Sequence, residues 1–312
     1  MNDGITVGRF APTPSGYMHA GNILCALMAY LSAKSAGGKF IVRIEDLDKL
    51  RCPEPAARDI LELLDFLGLK SDAEIIYQSD RSDAYIAAID KIASVANVYE
   101  CFCTRAELHA ATAPRGEYGE VVYSGTCKNL SFKQKCEMRK TRRPCLRLEV
   151  PNETITFVDG LQGEYRQNLA ESCGDFILRR SDGVAAYQLA VVVDDGFQGV
   201  TEVVRGMDLI SSTPRQIYIG KLLGLPQPRY MHIPLLKRAN GDKLSKSAGD
   251  NVRNLLARHT PEELLGTLAC AMGIIAEPRP STAAELVKIY DKTKLRADNI
   301  TVPENLIDDI RS

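Results

Sequence analysis

Several features are missing from this 312-residue chain, and each absence excludes something. No apolar run approaches the ~20 residues that span a bilayer, and Met1 to Gly8 holds neither the basic nor the apolar region of a secretion signal. A cytoplasmic protein without membrane contact is expected. Positive charge is not in excess: 39 Lys and Arg against 40 Asp and Glu leave a formal net charge of −1. A generally polycationic nucleic-acid binder is therefore excluded, and any RNA contact must come from local patches. Neither the P-loop spelling nor the dinucleotide glycine fingerprint occurs, so nucleotide binding would need another motif. Nine cysteines, at 25, 52, 101, 103, 127, 136, 145, 173 and 270, are odd in number and scattered. Without a secretion signal they read as thiols, not as a disulfide framework. Cys25 and Cys270 fall in apolar helical patterns and are expected to be small buried hydrophobes.

What is present centres on Arg9 to Asn22, Arg-Phe-Ala-Pro-Thr-Pro-Ser-Gly-Tyr-Met-His-Ala-Gly-Asn. It follows a strand-like run (Ile5 to Phe10) and precedes a helix over Ile23 to Ser35, which Gly37-Gly38 ends. Pro12 and Pro14 forbid regular helix and stiffen the turn. Gly16 and Gly21 let backbone approach a ligand. His19 and Gly21 fall where a helix N-terminus presents free amides, a ready phosphate site. Phe40 to Ile44 is a second strand, closing in Glu45. A strand–helix–strand unit of this kind places its ligand residues at the carboxyl edge of a parallel sheet. Glu45 is thereby expected near Arg9 and His19, where it can hold an ammonium; a solvated strand-end carboxylate is the plainer alternative.

Helices are expected over Pro53 to Leu69 and from Ser82 to about Ala93, and a strand over Tyr99 to Phe102. Asp175 to Gly183 reads as a hairpin, and Val184 to Val193, apolar on both sides, as a buried strand of a parallel sheet with Tyr187 as its polar exception. Gln198 to Arg205 is another strand, which brings Arg205 to the same carboxyl edge. A capped helix runs from Ser211 to Leu223 and stops at Gly224, and Tyr230 to Leu236 is the last strand, with His232 a packed strand histidine. Lys243-Leu-Ser-Lys246-Ser follows, flanked by Asn240, Gly241 and Gly249. Lysines on such a loop can close over a triphosphate and neutralise charge as pyrophosphate leaves. Helices over residues 260–272 and 282–290 complete the chain, the first opened by the capping box Thr260 to Glu263.

Cys101-Phe-Cys103 opens a region of weak periodicity. Cysteines at i and i+2 can face one metal where the backbone turns, and Tyr123 and Cys127 follow across a glycine-containing loop. Chemistry alone leaves His109, Cys136 and Cys145 competing as a fourth zinc ligand. Lys128 to Arg147 holds eight basic residues against the single acid Glu137, a candidate local phosphate-binding surface.

The early Pro-rich His-Ala-Gly-Asn turn and the late Lys-Leu-Ser-Lys-Ser resemble the two signatures of the class I aminoacyl-tRNA synthetases. The residues between them resemble the glutamate branch, and the length resembles its short paralogue. One departure is Asn22, where the pattern has a second histidine. The resemblance implies an α/β, Rossmann-like doubly wound parallel sheet with a zinc-containing insertion and a short C-terminal helical appendage. The implied layout is residues 1–100 and 175–249 for the two halves of the catalytic domain, 101–174 for the insertion and 250–312 for the appendage, too short for an anticodon-binding domain. It implies L-glutamate at Arg9, Phe10, Ala11, Pro12, Thr13, Glu45, Tyr187 and Arg205. ATP with Mg²⁺ is implied at Thr13, His19, Gly21, Asn22 and Lys246, and catalysis by His19, Lys243 and Lys246. Structural zinc is implied at Cys101, Cys103, Tyr123 and Cys127. Two arginines forking onto carboxylates suit glutamate better than neutral glutamine. The implied activity is tRNA-independent activation of glutamate by a monomer, then transfer to the queuosine base in the anticodon of tRNA(Asp). The rivals are a truncated or discriminating glutamyl-tRNA synthetase charging a 3′ end, a nucleotidyltransferase with a similar turn, and an inactive RNA-binding relative. The long insertion and the two arginines disfavour the second; His19, Lys243 and Lys246 disfavour the third.

Overall fold

The computed structural model describes residues 4–108, 121–238, 240–242, 244 and 252–302. The first half alternates strand and helix: β1 (Val7–Phe10), α1 (Ala20–Ser35), β2 (Lys39–Ile44), α2 (Glu54–Phe66), β3 (Ile76–Tyr77), α3 (Ser82–Ala93). Then come β4 (Val98–Cys101), α4 (Arg105–Leu108), α5 (Phe132–Arg139), β5 (Cys145–Leu148), β6 (Thr154–Asp159), β7 (Gly163–Asn168), α6 (Leu169–Ser172) and β8 (Phe176–Arg179). The second half comprises α7 (Tyr187–Phe197), β9 (Glu202–Gly206), α8 (Thr213–Leu223), β10 (Arg229–Ile233), β11 (Leu236–Lys237), α9 (Val252–Leu256), α10 (Pro261–Ala271), α11 (Ala283–Ile289) and β12 (Ile300–Thr301).

Among the described residues the main sheet has seven strands in the order β3-β2-β1-β9-β10-β6-β7. Every pairing is parallel except the β6–β7 hairpin at the edge. Apolar side chains alternate between its two faces, as strand geometry dictates. On one face Phe40, Val42, Ile44, Val204, Met231 and Ile233 join a core with α1, α2, α10 and α11. On the other, Ile41, Phe157, Val203 and Tyr230 form a second cluster that Ile217 of α8 helps to cover. Helices on both faces of a mostly parallel sheet make this an α/β fold of the doubly wound kind. A separate antiparallel sheet, β4-β5-β8, packs with α3, α7 and α8.

The structure shortens the strand expected over Gln198 to Arg205 to β9, divides the one expected over Tyr230 to Leu236 into β10 and β11 with β12 still to follow, and changes the type of one element. Val184 to Val193 is not a strand: residues 187–197 form α7. An apolar run cannot by itself distinguish a buried strand from a buried helix, and Leu189, Ala190 and Val191 are all buried in helical form. Arg179 and Ala185 do form a bridge across a Ser-Asp-Gly turn, so the expected hairpin survives in shortened form. The β6–β7 hairpin has no counterpart among the elements expected from sequence, and it adds residues 154–168 to the edge of the main sheet. Cys25 and Cys270 are half-buried at the margin of the core.

Candidate functional site

Five strands present one polar residue each near their carboxyl ends, all on the same face of the sheet. Each lies two residues beyond an apolar residue packed at the second cluster: Arg9 after Val7, Arg43 after Ile41, Arg205 after Val203, His232 after Tyr230 and Asp159 after Phe157. All five are buried. The helix α7 contributes Asp194 and Asp195 to this layer. Asp195 accepts from Arg43 Nη1 at 2.8 Å and from Arg9 Nε at 3.3 Å. Asp194 accepts from Arg81 (2.6 Å), Gln78 (2.9 Å) and the Tyr85 hydroxyl (2.8 Å). Arg43 also meets Glu45 at 3.4 Å. Arg9, Arg43 and Arg81 thus face Glu45, Asp194 and Asp195, equal numbers of each sign, which is how charges survive burial.

Above this layer lies a cavity of about 440 Å³. Its lining includes Arg9, Phe10, Ala11, Pro12 and Thr13 from the first turn, His19, Gly21 and Asn22 from the start of α1, Glu45 after β2, Tyr187 at the start of α7, and Arg205. These described residues, named from the sequence as glutamate and ATP contacts, line one cavity. Helix geometry locks the His19 end: Asn22 Oδ1 accepts a hydrogen bond from the His19 backbone N–H at 3.0 Å. A side chain at Gly21 would put a Cβ 3.0 Å from His19 Cε1 and Nδ1, so glycine leaves room for the imidazole. The turn is tied down where the Glu45 N–H donates to the Pro12 carbonyl (3.0 Å) and the Val252 N–H to that of Met18 (2.8 Å).

Lys243 and Lys246 lie outside the described residues. Between them, Leu244 is described: it is buried, lines the cavity, and its N–H donates to the Leu236 carbonyl at 3.3 Å. Leu244, from the distant stretch, and the first turn therefore line one cavity.

Burial pushes the Glu45 carboxyl above the usual carboxylate range, against the pull of Arg43 and Arg9. Burial acts the same way on Asp195, but there Arg9 and Arg43 outweigh it and hold the group low. Arg205 donates from Nη2 to the Thr213 hydroxyl (2.7 Å) and from Nε to His232 Nε2 (3.0 Å). Its buried Nη1 has no hydrogen-bond partner among the described residues. A buried guanidinium nitrogen left over in a cavity wall is a place for an anion.

A second cluster lies in the antiparallel part. Cys101, Cys103 and Cys127 bring their sulfurs within 4.8 Å of one another, with Cys103 and Cys127 at 3.6 Å. The Tyr123 hydroxyl sits 3.3 Å from Cys101 Sγ and accepts from the Cys127 N–H at 2.9 Å. Hydrogen bonding from Cys145 is the largest influence on the Cys101 thiol and, against burial, lowers it to about 4. Among the described residues Cys136 and Cys145 are not part of the three-sulfur cluster, and His109 is outside the described residues. The basic run is largely engaged. Lys128 pairs with Glu149, Arg139 with Glu100, Lys140 with Glu137 and Arg142 with Glu107. Arg147 is buried with its guanidinium 3.8 Å over the Tyr123 ring. No helix among the described residues is long and apolar enough to cross a membrane.

Residues 6–280 match the family described as tRNA synthetases class I (E and Q), catalytic domain. The chain belongs to this family. Among its relatives are proteins named glutamyl-Q tRNA(Asp) synthetase. That of Thiobacillus denitrificans is 44% identical over 285 residues, covering 91% of this chain and 90% of the relative. That of Pseudomonas putida is 40% identical over 310 residues and covers 97% of each. That of Nocardia farcinica is 42% identical over 305 residues, covering 96% of this chain and 93% of the relative. The structure superposes on a glutamate tRNA ligase from Elizabethkingia meningosepticum in complex with its amino acid, with a TM-score of 0.82. At 24% identity, over 97% of this chain and 68% of that one, this establishes the fold alone. A class I synthetase of this group is a ligase, and the cavity at the carboxyl edge of its sheet is where such a fold binds ligands.

Sequence reasoning missed Arg43, Asp159, Asp194, Asp195 and the part played by His232. A repeated pattern of an apolar residue and then a polar one two positions on, at the ends of several strands, was the available signal.

Proposed function

We propose that this cavity binds L-glutamate beside ATP, and that the protein forms glutamyl-adenylate and transfers the glutamyl group to the queuosine base of tRNA(Asp). The observation that carries this reading is the convergence of two arginines, one carboxylate and one tyrosine in a single cavity next to a helix N-terminus. Arg205 offers Nη1 to one substrate carboxylate and Arg9, which also lines the cavity, takes the other. Glu45, when ionised, receives the ammonium, and the Tyr187 hydroxyl adds a hydrogen bond. An oxygen of glutamate's α-carboxylate attacks the α-phosphorus of ATP. The bond from that phosphorus to its bridging oxygen breaks, and pyrophosphate leaves with that electron pair. His19 and Lys246 offset the charge that moves outward, so the protein contributes mainly position and electrostatics. Mg²⁺ accompanies the phosphates of ATP. The names of relatives covering nine-tenths or more of this chain support the choice of acceptor.

The thiols of Cys101, Cys103 and Cys127 and the phenol of Tyr123 fit a zinc ion by number and by chemistry. Bound there, zinc would cross-link the loop that follows β4 and supply no step of the reaction. We read residues 101–174 as the inserted part of the chain, between the catalytic halves 1–100 and 175–249, with its β6–β7 hairpin added to the catalytic sheet and 250–312 appended.

The decisive assay is glutamate-dependent exchange of labelled pyrophosphate into ATP without RNA. Exchange that requires glutamate and no tRNA supports the reading. A strict tRNA requirement would favour a synthetase that charges a 3′ end, and no exchange at all would favour an inactive relative.

A further inference from the structure

One chain of contacts runs from β6, next to the edge strand of the sheet, to the cavity wall. Asp159 of β6 accepts from His232 at 2.6 Å through Nδ1, and through the His232 backbone N–H as well. The other ring nitrogen, Nε2, lies 3.0 Å from Arg205 Nε and 3.2 Å from the Thr213 hydroxyl. Arg205 Nε always carries hydrogen, so Nε2 must present its lone pair, and the proton must sit on Nδ1 facing Asp159. The imidazole is completely buried and neutral, because burial and the nearby Arg205 and Arg9 outweigh the pull of Asp159. The Asp159 oxygens also accept the backbone N–H groups of Leu161 and Gln162, both at 3.0 Å, so the carboxylate is fixed from several sides. Thr213 takes Arg205 Nη2 at 2.7 Å. Of the guanidinium's three nitrogens, two are held by the protein, and among the described residues nothing holds Nη1, which is left for a ligand.

We propose that Asp159, His232 and Thr213 are positioning residues that fix the Arg205 guanidinium so that its Nη1 meets a carboxylate of the substrate. The inference rests on the reading of the cavity as a glutamate site. Arginine side chains have many rotamers, and a fork held at two of its nitrogens has already lost the freedom that binding would otherwise remove. None of the three need touch the substrate, so their effect falls on glutamate affinity and not on ATP.

The test is pyrophosphate exchange by the full chain, with KM measured separately for glutamate and ATP. His232→Leu removes the lone pair, Thr213→Val removes the hydroxyl at nearly constant shape, and His232→Gln restores an acceptor near the Nε2 position. A hydrogen bond to a charged group is worth enough that KM for glutamate should rise roughly tenfold in His232→Leu and in Thr213→Val. KM for ATP should stay within about twofold, and His232→Gln should recover part of the loss. Absence of glutamate-dependent exchange by the unmodified protein, both with and without tRNA, would overturn the glutamate site itself. Exchange by the unmodified protein, with KM for glutamate unchanged in Thr213→Val, or with both KM values rising together in it, would overturn the positioning role alone. Thr213→Val decides the question by itself should His232→Leu fail to fold.

Discussion

Asp195 holds two guanidinium groups at once, so Asp195→Asn is a sharp perturbation of the layer under the cavity. The substitution keeps the shape and one acceptor oxygen but removes the charge. Arg43, fully buried, would keep Glu45 at 3.4 Å, the Gln198 amide oxygen at 2.8 Å and Asp194 at 4.0 Å. Arg9 would lose the carboxylate that holds its Nε and keep the weaker contact from Nη1 to the Val204 carbonyl at 3.5 Å. Breaking a buried ion pair by removing one partner costs about 3–5 kcal/mol. The acceptor that asparagine retains and the remaining partners of Arg43 bring the expected loss to about 2–3 kcal/mol. For a chain of this size that lowers Tm by about 3–5 °C. Arg9 and Arg43 hold the Asp195 pKa below its ordinary value. Its contribution to stability is therefore present above the unfolded aspartate pKa and is lost as pH falls through the lower folded pKa. The gap in Tm between variant and unmodified protein should be full at pH 7 and should narrow in acid. Circular dichroism melts at the two pH values measure this, and exchange kinetics should show a raised KM for glutamate. An unchanged Tm and an unchanged KM at neutral pH would refute the claim that this carboxylate organises the layer.

Three further outcomes are expected. Burial raises the Glu45 pKa, so its contribution favours folding below the unfolded pKa and is lost as pH rises through the folded one; Glu45→Gln should leave Tm at pH 7 unchanged or higher while raising KM for glutamate by about tenfold or more, and a large fall in Tm would contradict this. Gly21→Ala adds a Cβ 3.0 Å from the His19 ring at a helical position where alanine is favoured; the melt should hold while kcat for exchange falls by about tenfold or more, and unaltered kcat would remove the need for glycine there. Protein purified without chelator should contain stoichiometric zinc that Cys103→Ser diminishes, measured by atomic absorption; a zinc content near zero in the unmodified protein would rule out the Cys101, Cys103, Tyr123 and Cys127 site.

Much of the cavity was legible because its residues sit where local rules act strongly. Proline and glycine between Arg9 and Asn22 mark a turn whatever surrounds it, and strand–helix–strand topology then carries Glu45 and Arg205 to the same edge. Helix 187–197 resembles a strand in sequence because Val184 to Val193 is apolar on all sides, and a helix packed between two layers shares that pattern with a central strand. Tyr187 reaches the cavity all the same, since it sits where the chain enters α7. The charged layer was illegible for another reason. Arg43 and Asp195 are separated by 152 positions and Asp159 and His232 by 73, so nothing local links them. The sheet order, with β6 beside β10, brings Asp159 to His232, and the packing of α7 brings Asp195 to Arg43 on β2. The basic run from Lys128 to Arg147 shows the converse. Its partners Glu100, Glu107 and Glu149 lie outside it, and a count within the window overstates its positive field.

The central claim is that this cavity activates glutamate for transfer to one modified base. Incubation of the full chain with ATP, labelled glutamate and tRNA(Asp), either bearing or lacking queuosine, tests it most directly. Label should enter only the queuosine-bearing RNA and should survive removal of the 3′-terminal nucleotides. Label carried equally by unmodified tRNA, or lost with the 3′ end, would contradict it.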